Sequence, residues 1–577
     1  MRKKTTTILL CLLLLSTLVL DGCLLRPGPE RTEEGETLFR LGFTGSPDTL
    51  NPYAAGSEEA AAVFSLLYDT LFSADLSSGE YVGNLCSEWT VQDGAAEGGK
   101  LWKLTLRPDV VWHDGSTLTA SDVEFSLQSA KDFSTLFSYP ELALLDTTGI
   151  AVEDDTHLAF LVWGDVPYME ELLSRVPILP RHVWNQAAGM EYNSSGVPRN
   201  ASLARETLYS MRAGAMNMVG SGPYVWESWS EGVVTLRRND SYWNGTPRPQ
   251  VVELRFGCVS PGQMLRRGEL DACWDLTADE YASLKKRNGF TSSSGTQGEL
   301  YQIVMDLSDS DSPLASENVR KALDYCLDRK AVTACFGGGM PSIGYLTPYS
   351  PWYYADKIDY RRDPSAESAS WLLDSAGYRD VDGDGVREAG LGRSLSFELL
   401  CSDSSPVWKT AAEAWRDSCA LAGIQIRVKA VAPEELYTRL QRGEFELALT
   451  AERCYNDPFY SFSPFYWNGG ANTAAAADLH DRLVSPGDNF TGFKSEDYDR
   501  LYRNMLTASG EARQELVTAM GFMLYDTAAS LPIGFSVYRQ TVSPSWYNIR
   551  AYRGTGLLFA PEILRQQFLT MTCPGRK

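Results

Sequence analysis

Ser394–Thr450 reads SLSFELLCSDSSPVWKTAAEAWRDSCALAGIQIRVKAVAPEELYTRLQRGEFELALT, and its periodicity decides the fold class. Leu395, Phe397 and Leu399 alternate with Ser396 and Glu398, the period of two that marks a strand. Residues 408–423 follow as a helix closed by Gly423. Ile424, Ile426 and Val428 restore the alternation. Pro433 then opens a second helix with Glu434 and Glu435 in its first turn and Gly443 at its end. Phe445, Leu447 and Leu449 form the inward face of a third strand. The order is strand, helix, strand, helix, strand. Short connections with right-handed crossovers make such a run a twisted parallel sheet, so the class is α/β. Ligands of these sheets sit outside the carboxyl ends of the strands. Two loops leave those ends, CSDSSP (401–406) and AERCYNDP (451–458). They are the candidate site, with plain surface connections as the alternative.

Outward from this stretch the patterning continues. LWKLTLRP (101–108) puts Trp102, Leu104 and Leu106 on one side, and VVTLRRN (233–239) alternates likewise, so both read as strands. DPSAESASWLLDSAGY (363–378) reads as a helix in which Asp363 caps, Pro364 takes the first position and Gly377 ends it. Clusters of Gly, Ser and Asn at 193–200, 291–298 and 468–473 read as loops. The chain has 577 residues, which predicts two to four domains. Asp and Glu number 74 against 52 Lys and Arg, a net charge of −22. That balance argues against nucleic acid, whose phosphates demand clustered cations.

Arg2, Lys3 and Lys4 precede an apolar run from Ile8 to Leu20, too short to span a bilayer and suited to a secretory leader. LDGC (Leu20–Cys23) resembles the bacterial lipoprotein signal. That resemblance implies cleavage before Cys23, lipid on its thiol, a leader over 1–22 and a flexible tether over 23–37. An ordinary leader with an incidental cysteine is the alternative. Cys86, Cys258, Cys273, Cys326, Cys335, Cys401, Cys419, Cys454 and Cys573 lie beyond it with neither a C-x-x-C pair nor metal spacing.

VWHDGSTLTASDVEFSL (111–127) holds His113 beside Asp114. Asp114 and Gly115 are turn residues, and Thr119 with Asp122 has the spacing of a helix-capping box. The polar residues therefore have backbone roles, and no nucleophile motif accompanies them. DVDGDGVRE (380–388) matches the first half of a calcium loop through Asp380, Asp382, Asp384 and Gly385. The twelfth position is Leu391, so the bidentate acid is missing and an acidic turn is the alternative. G-x-S-x-G, G-x-x-x-x-G-K-[ST] and H-E-x-x-H are all absent. The four histidines, His113, His157, His182 and His480, are scattered. Fifteen Trp, 28 Tyr and 22 Phe offer the broad contact that binding clefts use, as well as ordinary core packing.

Taken in order, DTLNPY (48–53), LYDTLF (67–72), LWKLTLRPDVVWHDGSTLTASDVEFSL (101–127), GSGPYVWESW (220–229), LRRNDSYWNG (236–245), ENVRKALDYCLDRKAV (317–332) and LLDSAGYRDVDGDGVRE (372–388) resemble the family 5 extracellular solute-binding proteins of ABC importers, the dipeptide- and oligopeptide-binding group. The likeness runs from about Leu38 to about Ile563. It implies a two-lobe periplasmic-binding-protein fold of type II with an extra subdomain. Lobe I would comprise 38–57, 176–299 and 537–577, the subdomain 58–175, and lobe II 300–536. Two hinge strands would cross near Leu300–Met305 and Pro532–Val537.

The resemblance implies no reaction and no cofactor. It implies capture of a peptide or other small solute in an interlobe cleft and its delivery to a membrane permease worked by ATPase subunits. The setting would be the extracytoplasmic face of the bacterial cell membrane, reached through the lipid anchor. Cys454, Tyr455, Asn456, Asp457, Tyr301 and Phe535 would contact the ligand. Peptide-binding relatives carry a Trp and then an Asp before an acidic-Pro pair, and that Asp holds the peptide amino terminus. Here those places hold Ala451 and Cys454. A neutral thiol cannot replace a carboxylate opposite an ammonium group. Either Asp457 serves instead or the solute lacks a free amine. A nickel chelate or an oligosaccharide is the alternative solute. A sensing receptor and a secreted hydrolase lipoprotein are the alternative functions.

Overall fold

The structure, a computed structural model, describes residues 29–573 except 53–54, 56, 76–79, 95–98, 133–148, 164–168, 189–216, 391–392, 454–457, 468–488 and 552–560. The loop clusters at 193–200 and 468–473 and the leader lie outside the described residues. Among the described residues, eleven strands form one sheet. In chain order they are β1 (Leu38–Gly42), β2 (Tyr224–Ser230), β3 (Val233–Arg238), β4 (Val251–Arg255), β5 (Ala272–Cys273), β6 (Thr291–Met305), β7 (Met340–Pro341), β8 (Ser396–Ser402), β9 (Gln425–Val431), β10 (Leu447–Arg453) and β11 (Leu531–Val542). The sheet order is β9-β8-β10-β6-β11-β5-β1-β4-β3-β2, with β7 added on β11.

The Ser394–Thr450 stretch folds as its periodicity predicts except at Phe445, which precedes β10 and packs with Leu400 and Ala448 instead of sharing a face with Leu447 and Leu449. β8 pairs in parallel with β9 on one side and with β10 on the other. Ser405 caps the helix Pro406–Ala420 and Pro406 takes its first position. Gly423 and Gly443, past the ends of the two helices, hold positive φ of 80° and 65°. Leu395, Phe397 and Leu399 pack into the core of lobe II, while Leu400 and Ala448 are buried on the opposite face. Both faces of this part of the sheet are therefore covered, the usual state of parallel strands.

β6 and β11 are the long members, at 15 and 12 residues. They run antiparallel and join the two lobes. Thr291–Thr296 pairs with Val542–Val537, beside β5 of lobe I. Leu300–Ile303 pairs with Phe535–Leu531, beside β10 of lobe II. The register shifts between Thr296 and Leu300 and again between Tyr301 and Gln302, at the passage from one lobe to the other. The loop expected at 291–298 is thus a strand. Its Ser- and Gly-rich composition has low strand preference, but the ladder to β11 and a Ser292 to Thr541 hydroxyl contact of 2.8 Å override it.

In lobe I, β1 lies parallel between β4 and β5. Phe39 packs edge-on against Trp546 and Phe568, so the C-terminal segment closes the core begun by the first strand. A separate four-stranded antiparallel sheet uses Cys86–Asp93, Gly99–Leu106, His157–Trp163 and Ala151–Val152. Trp102, Leu104 and Leu106 are its buried face, as their alternation predicts. A cap differs from expectation. The helix at 366–375 is capped by Ser365, whose hydroxyl accepts from the Ser368 N–H at 3.1 Å. Asp363 stands two residues too early, and Pro364 precedes the cap instead of following it.

Candidate functional site

Three segments meet where β6 and β11 pass between the lobes. Tyr301 of β6 pairs across the ladder with Ala451 of β10 on one side and with Gly534 of β11 on the other. Leu447 and Leu449 are buried on β10, but Ala451 on the same face is exposed. Cover on this face of the sheet thus ends toward the carboxyl end of β10, where parallel sheets present their ligand sites. The Tyr301 ring stacks on Phe336 with centroids 4.0 Å apart and planes 8° apart. Trp408 meets both rings edge-on, 6.0 Å from Tyr301 and 5.1 Å from Phe336. Phe336 ends the helix Arg329–Cys335, and Trp408 lies in the first turn of Pro406–Ala420. All three rings keep part of their surface exposed.

Charge at this place comes from Glu299 and Asp275. Asp275 lies just past β5 and within reach of Arg539 on β11. Burial raises its carboxyl above the usual carboxylate value, with the Arg539 charge opposing. Burial likewise lifts the Tyr301 phenol to about 12, and the Glu299 and Asp275 charges add to the effect. The Asp275 charge, from just past β5, thus reaches Tyr301 on β6. On the other face of the sheet, the Ser530 hydroxyl donates to Gln302 Oε1 at 3.0 Å and sits 2.9 Å from the Tyr345 hydroxyl. The buried hydroxyls of Thr450 and Ser536 have no hydrogen-bond partner among the described residues.

Of the residues singled out by sequence, Tyr301 stands at this opening. Phe535 is fully buried one register step away, facing Leu300 and Met340 in the core. Cys454, Tyr455, Asn456 and Asp457 continue from β10 but lie outside the described residues, as does Cys23. Phe336 and Trp408 were missed. Their separations from Tyr301 follow no sequence period, and only the fold brings the three together. The 401–406 loop is pinned at its start and exposed beyond it: Ser402 is buried and its hydroxyl donates to that of Ser404 at 2.8 Å, Asp403 N–H donates to the Val431 carbonyl, and Asp403, Ser404 and Pro406 are exposed.

The 111–127 stretch is structural. The Gly220 N–H donates to His113 Nδ1 at 3.1 Å, and Nε2 donates to the Gly222 carbonyl at 3.0 Å. This pattern requires the neutral ring. Burial holds the imidazole below its ordinary value, against the Gly222 bond and the charges of Asp69 and Asp114. Asp114 does pair with a histidine, but with His182 at 2.7 Å. Burial acts to raise the Asp114 pKa, yet bonds from Ser116 and His182 outweigh it and hold it at about 2. Asp122 supplies the returning half of the capping box, accepting from Thr119 N–H at 2.9 Å.

Asp380, Asp382 and Asp384 bring their carboxylates within 4.8 Å of one another, all exposed. Each also accepts from backbone N–H groups of its own turn, at Gly383 and Gly385, at Asp384, and at Val386. Cys86, Cys258, Cys273, Cys326, Cys335, Cys401, Cys419 and Cys573 are free thiols. No described helix is long and apolar enough to cross a membrane.

The sequence profile of the bacterial extracellular solute-binding proteins, family 5 Middle, matches residues 80–473. The oligopeptide-binding protein AppA of Bacillus subtilis is 22% identical over 534 residues, covering 88% of this chain and 89% of that protein. The solved structure of the Bacillus subtilis AppA in complex with a nonapeptide superposes with a TM-score of 0.65 at 17% identity, covering 93% of this chain and 99% of that one. A periplasmic oligopeptide-binding protein of Thermotoga maritima, solved with mannohexaose bound, gives 0.68 at 20% identity, covering 94% and 100%. Both superpositions carry the same two-lobe α/β fold. With more than half of its length matched by the profile, the chain belongs to the bacterial extracellular solute-binding proteins of family 5.

Proposed function

We propose that this protein is the solute receptor of an ABC importer, that it captures peptides between its lobes, and that it passes them to a membrane permease driven by ATPase subunits. The lobes are 38–57 with 176–299 and 537–577, and 300–536, with 58–175 as the subdomain. The observation that carries the reading is the opening at Ala451, set beside Tyr301 where β6 and β11 cross. A ligand bound there touches both lobes, so it favours the closed arrangement over the open one. That difference in affinity is what signals loading to a permease. Tyr301 and the 454–457 segment contact the solute, and Phe535 backs the strand from the core. The chain works without a cofactor and catalyses no reaction. Cys23 carries the lipid that holds it at the extracytoplasmic face of the membrane.

One observation favours a second reading. By the family resemblance, Cys454 would stand where peptide-binding relatives keep the carboxylate for the amino terminus. A solute without a free amine, an oligosaccharide or a nickel chelate, would suit that change. A thermal-shift screen of the purified chain against peptides, chelates and oligosaccharides separates the two. Stabilisation by peptides alone supports the first reading, and stabilisation by either other class alone supports the second.

A further inference from the structure

We infer that Tyr301, Phe336 and Trp408, with Ala451 as floor, form a pocket on lobe II that takes one aromatic side chain of the bound peptide. The inference rests on the peptide reading and deepens it.

Three segments remote in sequence bring their rings into one contact set, with one stacked pair and two edge-on contacts. These are the arrangements that ring quadrupoles favour, so a fourth ring entering the set finds both a face and an edge to meet. The cluster packs on the lobe II core yet keeps part of each ring uncovered. Ala451 and Tyr301 are directly paired, which places their Cβ atoms about 5 Å apart on one face of the sheet. A methyl group at 451 leaves open the volume that a larger residue would fill. Ala451 is exposed where its same-face neighbours on the strand are covered. A cluster of apolar side chains that stays partly uncovered is a usual mark of a ligand contact.

The position relative to the hinge adds a second argument. Tyr301 lies within electrostatic reach of Asp275 from lobe I. A side chain held against Trp408 and Tyr301 is then at the seam, where closure buries it from both sides. An aromatic ring gains most from such burial, because it offers large apolar area at the cost of few rotors.

The test is calorimetric titration with short peptides of one length, all-alanine except for one phenylalanine moved through every position. For the wild type, one position gives binding about tenfold tighter than the all-alanine peptide. Trp408→Ala brings that ratio close to one, Trp408→Phe keeps a preference, and Ala451→Trp, which fills the floor, abolishes it. Melting temperature and far-ultraviolet circular dichroism show that each variant is folded. Peptides that bind with no phenylalanine preference at any position would overturn the pocket and leave the peptide reading standing. Binding of no peptide would overturn the reading itself. A preference untouched by both Trp408→Ala and Ala451→Trp would place the pocket elsewhere and overturn this assignment.

Discussion

Arg565, close to the C-terminus, sets its Nη1 2.9 Å from Oδ1 of Asp69, and both side chains are buried. Asp69 belongs to the LYDTLF motif. The Tyr242 hydroxyl donates to it at 3.0 Å, Trp243 Nε1 at 3.1 Å and the Ser221 hydroxyl at 3.2 Å. Asn84 Nδ2 adds a longer bond of 3.4 Å. Three of the motifs that carry the family resemblance, LYDTLF, GSGPYVWESW and LRRNDSYWNG, thus converge on one carboxylate. Arg565 also donates to the carbonyls of Ser65 and Tyr68, tying the helix Pro561–Thr570 to the helix Glu58–Leu67.

This arrangement predicts a large, localised loss of stability. Arg565→Met takes from the buried Asp69 carboxylate the cation beside it, and Asp69→Ala takes from the buried guanidinium its carboxylate partner at 2.9 Å. Each is expected to cost about 3–5 kcal/mol in urea unfolding. The double variant Asp69→Leu/Arg565→Met, which removes both charges, should recover part of that loss. Additive losses would show that the pair is not coupled.

His113 predicts a pH dependence with a definite sign. Its folded-state pKa is depressed below the ordinary 6.5 by burial, although the charges of Asp69 and Asp114 oppose this. The unfolded chain therefore binds a proton that the folded chain refuses, and stability rises with pH. The contribution is complete above 6.5 and is lost as pH falls through that value toward the folded pKa. Urea midpoints of wild type and His113→Gln, measured across this range, should diverge less as the solution is acidified. Parallel curves would remove His113 from the account.

Much of this was legible in the sequence, for a physical reason that also marks where legibility ended. Strand and helix periods are local, so the alternation of Leu395, Phe397 and Leu399 and the stops at Gly423 and Gly443 read directly as β8, its helix and β9. The motif GSGPY is local too, yet its cause is not. A Cβ on Gly220 would lie 1.8 Å from the Leu67 carbonyl oxygen, and one on Gly222 2.6 Å from that of Leu66. The bare backbone is needed so that the LYDTLF segment can lie against it. Thr291–Thr296 was misread because its Ser and Gly content has weak local preference, and only the pairing to β11 makes it a strand. At the site, Tyr301 could be placed by resemblance, whereas Phe336 and Trp408 could not, since nothing in their spacing announces that three segments meet.

The amine anchor is a separate prediction. If Asp457 holds the peptide amino terminus in place of the residue lost at Cys454, Asp457→Ala abolishes peptide binding while the melting temperature of the free chain stays within a degree or so of wild type. Acetylating the peptide amino terminus should have the same effect as the substitution. Unchanged affinity in both experiments would take Asp457 out of the site. Cys454→Asp should then tighten binding of free-amine peptides.

The anchor at Cys23 is tested by expression with the native leader. The wild type should partition into the detergent phase and carry a mass consistent with diacylglycerol on the thiol. Cys23→Ser should move to the aqueous phase. Equal partitioning of the two would leave an ordinary leader as the better account.

The central claim is that a peptide is captured between two lobes that close on it. Its most direct measurement is calorimetric titration of the purified mature chain with a short-peptide pool, followed by small-angle scattering of the free and saturated protein. The account predicts saturable binding of one peptide per chain, accompanied by a fall in the radius of gyration. A flat isotherm for every peptide, alongside saturable binding of a chelate or an oligosaccharide, would contradict it.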